Sequence, residues 1–257
     1  GTLGGNMEDL KKYARATKAF PGFGKTDYKW SAGTGKEFSK LSVRVRNELV
    51  AFTLPDEIIV EKSGITNGGK HLKPAQVNKL VEERGDEVVF FDGRNEFEAR
   101  IGKFKNAVVP NVQSSHQFVE EIESGKYDHL KEKPIVTYCT GGIRCEILSA
   151  VMINRGFKEV YQIDGGIVRY GEKYRDSGLW EGSLFVFDKR MTHNFSDDTK
   201  IVGVCEECDS PTNALRNCMH EGCKDFFLMC DSCFEQPNIS KHNDTHTRGK
   251  RDAFQVG

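Results

Sequence analysis

The 257-residue sequence has no apolar run that approaches the roughly 18 residues of a transmembrane helix. It also has no internal repeat and no low-complexity tract. Hydrophobic residues make up 37% and charged residues 29% of the chain, which is typical of a soluble protein. We therefore expect a cytoplasmic protein without membrane contact, long enough for one large domain or two to three small ones.

A signal peptide is absent, and the sequence opens with Gly1-Thr2-Leu3-Gly4-Gly5 in place of an initiator methionine. Such a start is typical of a fragment or a processed chain. The sequence also has no flavin, haem or iron motif. Six of the eight cysteines lie between Cys205 and Cys233, which favours a metal in a reducing compartment over a secreted disulfide framework.

Net charge is nearly absent at -1, but charge is unevenly distributed along the chain. Residues 1–80 hold 14 Lys and Arg against 8 Asp and Glu. Within them, Leu41–Phe52 alternates apolar and basic residues, which predicts a strand with one buried and one cationic face. Lys40, Arg44 and Arg46 are therefore candidate contacts for RNA, and the alternative is an ordinary solvated basic face.

Helices and strands alternate through the middle of the sequence, from residue 76 to residue 176. Periodicity predicts strands over Glu87–Phe91, Pro134–Tyr138 and Glu159–Ile163. Helices are predicted over Val77–Arg84, Ser115–Ser124 and Glu146–Asn154, and again after Gly165-Gly166. Alternation of this kind predicts an α/β fold, with a parallel sheet and helices on both faces.

The flanking regions differ in pattern from this α/β segment. Residues 1–53 predict a helix over Glu8–Lys18 and a short strand over Asp27–Ser31, ahead of the strand that begins at Leu41. Residues 54–75 are rich in Gly and Pro without sustained periodicity, which indicates a linker. Residues 177–200 form an aromatic-rich connector, and residues 201–257 form a cysteine-rich module.

The stretch around Cys139 carries the strongest chemical signal. Cys139 follows the predicted strand Pro134–Tyr138 and precedes a helix, with two glycines and Arg144 in between. Amides of a tight strand-to-helix turn and the helix N-terminus create positive potential, which lowers the pKa of a thiol. We therefore interpret Cys139 as a nucleophile, and the alternative is a buried structural thiol.

Three stretches resemble the successive landmarks of a rhodanese domain: Val89–Glu98, Cys139–Cys145 and Gly156–Ile167. In that family the cysteine at the position of Cys139 accepts sulfur as a persulfide, cradled by loop amides. The related cysteine phosphatases place five residues between nucleophile and arginine, whereas four separate Cys139 from Arg144. The resemblance therefore implies a loop that fits sulfur and not phosphate.

The wider chain resembles the tRNA uridine hydroxylase family. The resemblance is carried by Tyr138–Glu146 (YCTGGIRCE), the Gly1-Thr2-Leu3 start, Trp180-Glu181-Gly182, Phe185–Asp188 (FVFD) and the terminal cysteine module. It implies oxygen-dependent hydroxylation of the wobble uridine of tRNA to 5-hydroxyuridine, with Cys139 as the catalytic cysteine. It also implies a partial ferredoxin-like or acylphosphatase-like α+β domain over residues 1–53. The alternatives are a thiosulfate sulfurtransferase or sulfur-relay protein without an RNA substrate, and a non-catalytic adaptor.

Roles within the predicted site differ in kind. The active-site loop that follows Cys139 comprises Thr140, Gly141, Gly142, Ile143, Arg144 and Cys145. Its amides supply N–H donors, and Arg144 could stabilise an anionic sulfur donor through its fork of N–H groups. Asp92 and Arg94 are expected to be a supporting structural pair, and Cys145 is either a resolving thiol or a core residue.

The cysteine-rich module contains four pairs of metal-ligand residues. They are Cys205 and Cys208, Cys218 and Cys223, Cys230 and Cys233, and His242 and His246. Each spacing lets both side chains reach one ion, so two structural zinc ions are predicted, with disulfides as the alternative. By analogy with cross-brace modules, pairs one and three share one ion and pairs two and four share the other, with His220 as a competing ligand.

Overall fold

The computed structural model describes residues 1–48, 50–54, 57–61, 64–219, 223 and 225–236. The chain divides into two compact units. The described part of the first unit consists of Gly1–Val45 and Val186–Met191. The second runs from Arg46 to Phe185 and continues from Thr192. None of the described helices has both the length and the apolar content that are needed to cross a bilayer.

The first unit contains the helix α1, Met7–Ala19, which confirms the helix predicted over Glu8–Lys18. Asn6 caps it, because its side-chain oxygen accepts a hydrogen bond of 2.9 Å from the Asp9 N–H. Glu8 and Asp9 in the first turn and Lys18 in the last turn complement the helix dipole. The remaining described residues of this unit form neither helix nor strand.

The strands predicted over Asp27–Ser31 and Leu41–Phe52 are not found in the described part of these segments. Leu41, Val43 and Val45, which were expected on a buried face, are 79%, 85% and 96% exposed. A strand needs a neighbouring strand for its backbone hydrogen bonds, and none is present in the described part of residues 1–53. The predicted partial ferredoxin-like domain is therefore not confirmed.

The second unit contains twelve strands and six helices within its described residues. The strands are β1 Val60–Glu61, β2 Gly64–Ile65, β3 Lys70–Leu72, β4 Val89–Asp92, β5 Gly102–Phe104, β6 Pro134–Tyr138, β7 Glu159–Ile163, β8 Trp180–Gly182, β9 Leu184–Phe185, β10 Thr192–His193, β11 Leu215–Asn217 and β12 Phe226–Leu228. The helices are α2 Pro74–Arg84, α3 Glu96–Ala99, α4 Phe118–Glu123, α5 Ile143–Asn154, α6 Gly166–Tyr174 and α7 Asp231–Phe234.

Four strands form the central sheet in the order β3-β7-β6-β4, and all three pairings are parallel. This confirms the predicted parallel α/β sheet, with β6 and β7 at the predicted residues. The strand β3 lies inside residues 54–75, so the linker expected there already contributes an edge strand. The sequence Lys70-His71-Leu72 is short and polar enough to escape a periodicity search, as edge strands often are.

Helices cover both faces of the sheet, as predicted. Phe90 and Phe91 are adjacent on β4 and therefore point to opposite faces. Phe91 lies in a buried cluster with residues of α4 and α5. On the other face, Phe90 stacks on Phe104 at 4.6 Å, and Phe104 contacts Tyr170 of α6.

Beyond the sheet, short antiparallel pairs follow one another: β5 with β8, β9 with β10, and β11 with β12. Trp180 of β8 is 1% exposed and donates its indole N–H to the Gly182 carbonyl at 2.8 Å. Phe226 of β12 stacks on Phe97 of α3 with ring centroids 4.7 Å apart. The β11–β12 pair therefore packs directly against α3.

Candidate functional site

Cys139 lies directly after β6, at the carboxyl end of a central strand of the sheet. This is the edge where parallel α/β sheets place their ligands. The Cys139 side chain is 2% exposed, whereas Thr140, Gly141 and Gly142 are half-buried and Ile143 is exposed. The residues at the rim of the loop are therefore accessible to solvent, and the candidate nucleophile lies beneath them.

Two glycine turns give the loop its shape. Gly142 adopts a left-handed conformation (φ 96°) just before α5, which lets its N–H turn back to the Cys139 Sγ at 3.2 Å. The neighbouring turn at Gly165-Gly166 packs against this loop, since Ile167 N–H donates to the Cys139 carbonyl at 2.9 Å. A Cβ on Gly166 would lie 2.7 Å from the Gly142 nitrogen, so only glycine fits there.

The surroundings of Cys139 favour its thiolate form. A hydrogen bond from the Cys145 thiol, the positive charge of Arg144 and the amides of Cys145 and Gly142 together lower the pKa of Cys139 to about 5, against the opposing effect of burial. The N-terminus of α5 adds positive potential at the same place. Cys139 therefore carries a negative charge at neutral pH.

Cys145 is the partner that stays protonated. Its side chain is fully buried in the first turn of α5, and it forms no disulfide with Cys139. Burial and the adjacent Cys139 thiolate raise the pKa of Cys145 well above its ordinary value. The two thiols thus share one proton, which Cys145 holds and donates toward Cys139.

The Arg144 side chain forms an ion pair with Glu98, a residue that the sequence did not single out. Its Nη1 and Nη2 donate to the two carboxylate oxygens of Glu98 at 2.6 and 2.9 Å, and Nη2 also lies 3.2 Å from the Thr140 hydroxyl. The Glu98 side chain is fully buried. Arg144 therefore fastens the loop to α3, and most of its fork is not available to a ligand.

The sequence indicates only a local role for Glu98. Asn95 and Glu98 have the spacing of a capping box, and the Asn95 N–H donates to Glu98 Oε1 at 3.0 Å. That spacing predicts the start of a helix. It does not indicate a partner 46 residues away.

Asp92 and Arg94 form a buried ion pair next to this one. Arg94 Nε and Nη2 donate to the Asp92 carboxylate at 2.9 and 2.6 Å, and both side chains are fully buried. Arg94 Nη2 also donates to the Gly102 carbonyl at 2.8 Å, and Nη1 donates to the Glu98 carbonyl at 3.3 Å. The pair thus fixes the backbone that carries Glu98, and neither side chain offers an exposed atom to a substrate.

Four cysteines converge in the C-terminal part of the second unit. The sulfur atoms of Cys205, Cys208, Cys230 and Cys233 all lie within 4.8 Å of one another. The Cys208 and Cys230 sulfurs are 3.7 Å apart, which agrees with the edge of about 3.8 Å that Zn–S bonds of about 2.3 Å give a tetrahedron. These four residues, the first and third predicted pairs, could hold one metal ion.

The second predicted metal site is only partly described. Cys218 is buried and Cys223 is half-buried, and both belong to the same small core as Cys205 and Cys233. His242 and His246, and the competing ligand His220, lie outside the described residues. The second ion therefore stays a prediction.

Comparison with known proteins places this geometry in a family. The family model described as "Rhodanese-like domain" matches residues 73–173, and that described as "Rhodanase C-terminal" matches residues 181–242. A "tRNA uridine(34) hydroxylase" of Corynebacterium jeikeium is 59% identical over 256 residues, covering 100% of this chain and 81% of the relative. The chain belongs to the tRNA uridine(34) hydroxylase family.

Other members of the tRNA uridine(34) hydroxylase family are similar over nearly the same span. The protein of that name from Corynebacterium glutamicum is 63% identical over 91% of this chain and 75% of its own. That from Arthrobacter sp. is 56% identical over 92% and 80%. Among solved structures, a rhodanese-like domain from Anabaena is 17% identical, covering 53% of this chain and 93% of its own, at a TM-score of 0.36.

The candidate RNA contacts of this family member lie outside the sheet. Lys40 and Arg46 are exposed, and they flank a segment, residues 41–45, whose apolar residues are exposed as well. Arg44 lies within that segment. Contact of these three residues with RNA stays a prediction.

Proposed function

We propose that this chain hydroxylates the wobble uridine, U34, of tRNA to 5-hydroxyuridine in the cytoplasm, with molecular oxygen as co-substrate. The observation that carries the proposal is the 59% identity to a tRNA uridine(34) hydroxylase over the whole chain. The intact Cys139 loop supports it, because a reactive thiolate sits at the ligand-binding edge of the sheet.

Within this function, Cys139 is the essential nucleophile, and it carries sulfur as a persulfide. A thiolate is the reactive form of cysteine, and the environment of Cys139 provides it at neutral pH. The amide of Gly142 and the N-terminus of α5 stabilise negative charge at this position. Arg144 holds the loop in place through Glu98.

A thiosulfate sulfurtransferase is the second candidate, and the charge balance around the loop argues against it. Thiosulfate is a dianion, and its capture calls for uncompensated positive charge. Here Glu98 neutralises Arg144, and Asp92 neutralises Arg94. A sulfur donor of low charge, or a protein-bound persulfide, suits this loop better.

Zinc is the metal proposed for the four-cysteine site, as a structural ion. Four cysteine ligands around one zinc ion would complete its tetrahedral coordination and leave no open position for a substrate, which is typical of structural zinc. A second zinc ion, held by Cys218, Cys223, His242 and His246, completes the proposal.

The test is nucleoside analysis of tRNA from cells that lack the gene and are complemented with the wild-type chain or with Cys139→Ser. Wild type is expected to restore 5-hydroxyuridine in air and not under anaerobic growth, and Cys139→Ser is expected to restore none. A Gly141→Ala variant serves as the control in the same loop, since a Cβ there meets no atom within 4 Å. Full restoration by Cys139→Ser would end the proposal.

A further inference from the structure

The first unit contains a groove that the Cys139 site does not use. It lies between α1 and residues 26–30, and its volume is about 310 Å³. That volume falls at the lower end of the ~300–1,000 Å³ range of ligand pockets. All of its lining residues belong to the first unit.

One wall of the groove is cationic. Lys11, Arg15 and Lys18 are spaced by four and three residues, so they share one face of α1, and all three are exposed. No ion pair engages them among the described residues. Lys12 on another face of the same helix differs, because its Nζ lies 2.9 Å from Glu8.

The other wall is aromatic. Tyr28 and Trp30 both line the groove. Their ring centroids are 6.3 Å apart at an interplanar angle of 39°, and Trp30 is 43% exposed. The Lys18 ammonium lies 5.7 Å from the Tyr28 ring centroid.

The acidic side chain at the groove does not cancel its charge. Asp27 is the acidic residue of the lining, and its carboxylate is paired with Lys29 at 2.8 Å. The Tyr28 hydroxyl is buried without a hydrogen-bond partner in the described part of the chain. The groove therefore combines unpaired cations, an exposed aromatic ring and an unsatisfied polar group.

We propose that this groove binds a single-stranded segment of the tRNA substrate, with a base stacked on Trp30 and phosphates bound by Lys11 and Arg15. Aromatic rings beside a row of cations form the usual surface for single-stranded nucleic acids. An acidic protein surface would use the cations but offers no flat base for Trp30. The inference rests on the proposed function and adds to it the place where RNA is held.

The experiment measures equilibrium binding of a tRNA containing U34 to the whole chain at several salt concentrations. All proteins carry Cys139→Ser, so that turnover does not disturb binding. Trp30→Ala is expected to weaken binding by about 5- to 160-fold, the loss that one stacked base explains, whereas Trp30→Phe retains most of it. Arg15→Gln is expected to lower the slope of log Kd against log salt by about 1.

Lys12→Gln is the matched control, because it removes one charge from the same helix away from the groove. It is expected to bind like the parent protein, and circular dichroism checks that every variant folds. If Trp30→Ala and Arg15→Gln also bind like the parent, the groove is not an RNA site and the inference is wrong. If the parent itself does not bind tRNA, and wild type forms no 5-hydroxyuridine, the proposed function fails instead.

Discussion

Arg144 and Glu98 form a two-pronged ion pair that joins the cysteine loop to α3, with N–O distances of 2.6 and 2.9 Å. Glu98 is fully buried, and the Arg144 side chain is only 14% exposed. Because the neighbouring Phe97 stacks on Phe226 of β12, the same short helix also contacts the hairpin of the cysteine-rich module. The cysteine loop and the cysteine-rich module therefore both contact α3.

Glu98→Gln should destabilise the protein strongly. Removal of the carboxylate leaves the buried Arg144 guanidinium without its counterion, and breaking a buried pair in this way typically costs about 3–5 kcal/mol. Urea unfolding would measure the change in free energy. Glu96→Gln on the same helix is the control, because its pair with Arg100 is partly exposed and should contribute about 1 kcal/mol or less. Equal effects of the two variants would contradict the role assigned to Glu98.

Gly166→Ala should disrupt the loop more than Gly141→Ala. At Gly166 the backbone is left-handed (φ 64°), and a Cβ would clash with the Cys139 carbonyl and the Gly142 nitrogen. We expect the free energy of unfolding to fall by about 1–3 kcal/mol and the pKa of Cys139 to rise. At Gly141 a Cβ meets no atom within 4 Å, so that variant should unfold like wild type. Thermal and urea unfolding of both variants would check this.

Cys145→Ala should raise the pKa of Cys139, because it removes the thiol that donates to the thiolate. The rate of iodoacetamide alkylation of Cys139, followed by peptide mass spectrometry across pH, gives that pKa. In wild type the midpoint should lie near 5, and in Cys145→Ala it should move upward. Cys145→Ser retains a donor and should fall between the two. An unchanged midpoint in Cys145→Ala would show that the thiol pair is not the cause.

The lowered pKa of Cys139 also predicts that the stability of the protein depends on pH. The pKa of Cys139 is about 5 in the folded state and about 8.5 in an unfolded chain, so between these values the unfolded state binds one more proton. The unfolding free energy of wild type relative to Cys139→Ser should therefore rise with pH through this window and fall as pH drops toward 5. Urea unfolding of both proteins from pH 5 to 8.5 would measure it. A flat difference would contradict the lowered pKa.

The sequence anticipated the parts of the fold that depend on local pattern. Pro134–Tyr138 and Glu159–Ile163 were predicted to the residue, because buried parallel strands are short apolar runs. The strand predicted over Leu41–Phe52 was wrong, because an alternating pattern forms a strand only where another strand pairs with it. Glu98 was missed, because its partner Arg144 is set by the tertiary fold and no local spacing encodes such a contact.

Loss of a metal ion from the four-cysteine site should change the reactivity of Cys139. A metal ion bound there would fix the segments of Cys205 to Cys208 and Cys230 to Cys233, and a module with so small a core would depend on that ion to fold. Without it, Phe226 would no longer hold Phe97, and α3 would loosen its hold on Arg144 through Glu98.

We therefore expect Cys230→Ser to lose one equivalent of zinc and to change the alkylation rate of Cys139, although no bond joins the two residues. Zinc content by atomic spectroscopy and Cys139 alkylation by mass spectrometry are the paired measurements. Met219→Ala is the control, because Met219 belongs to the same module, is 65% exposed and is not among the four cysteines. If Cys230→Ser loses zinc while Cys139 reacts as in wild type, then α3 does not couple the module to the loop, since the module would have lost its ion without any change at the thiolate.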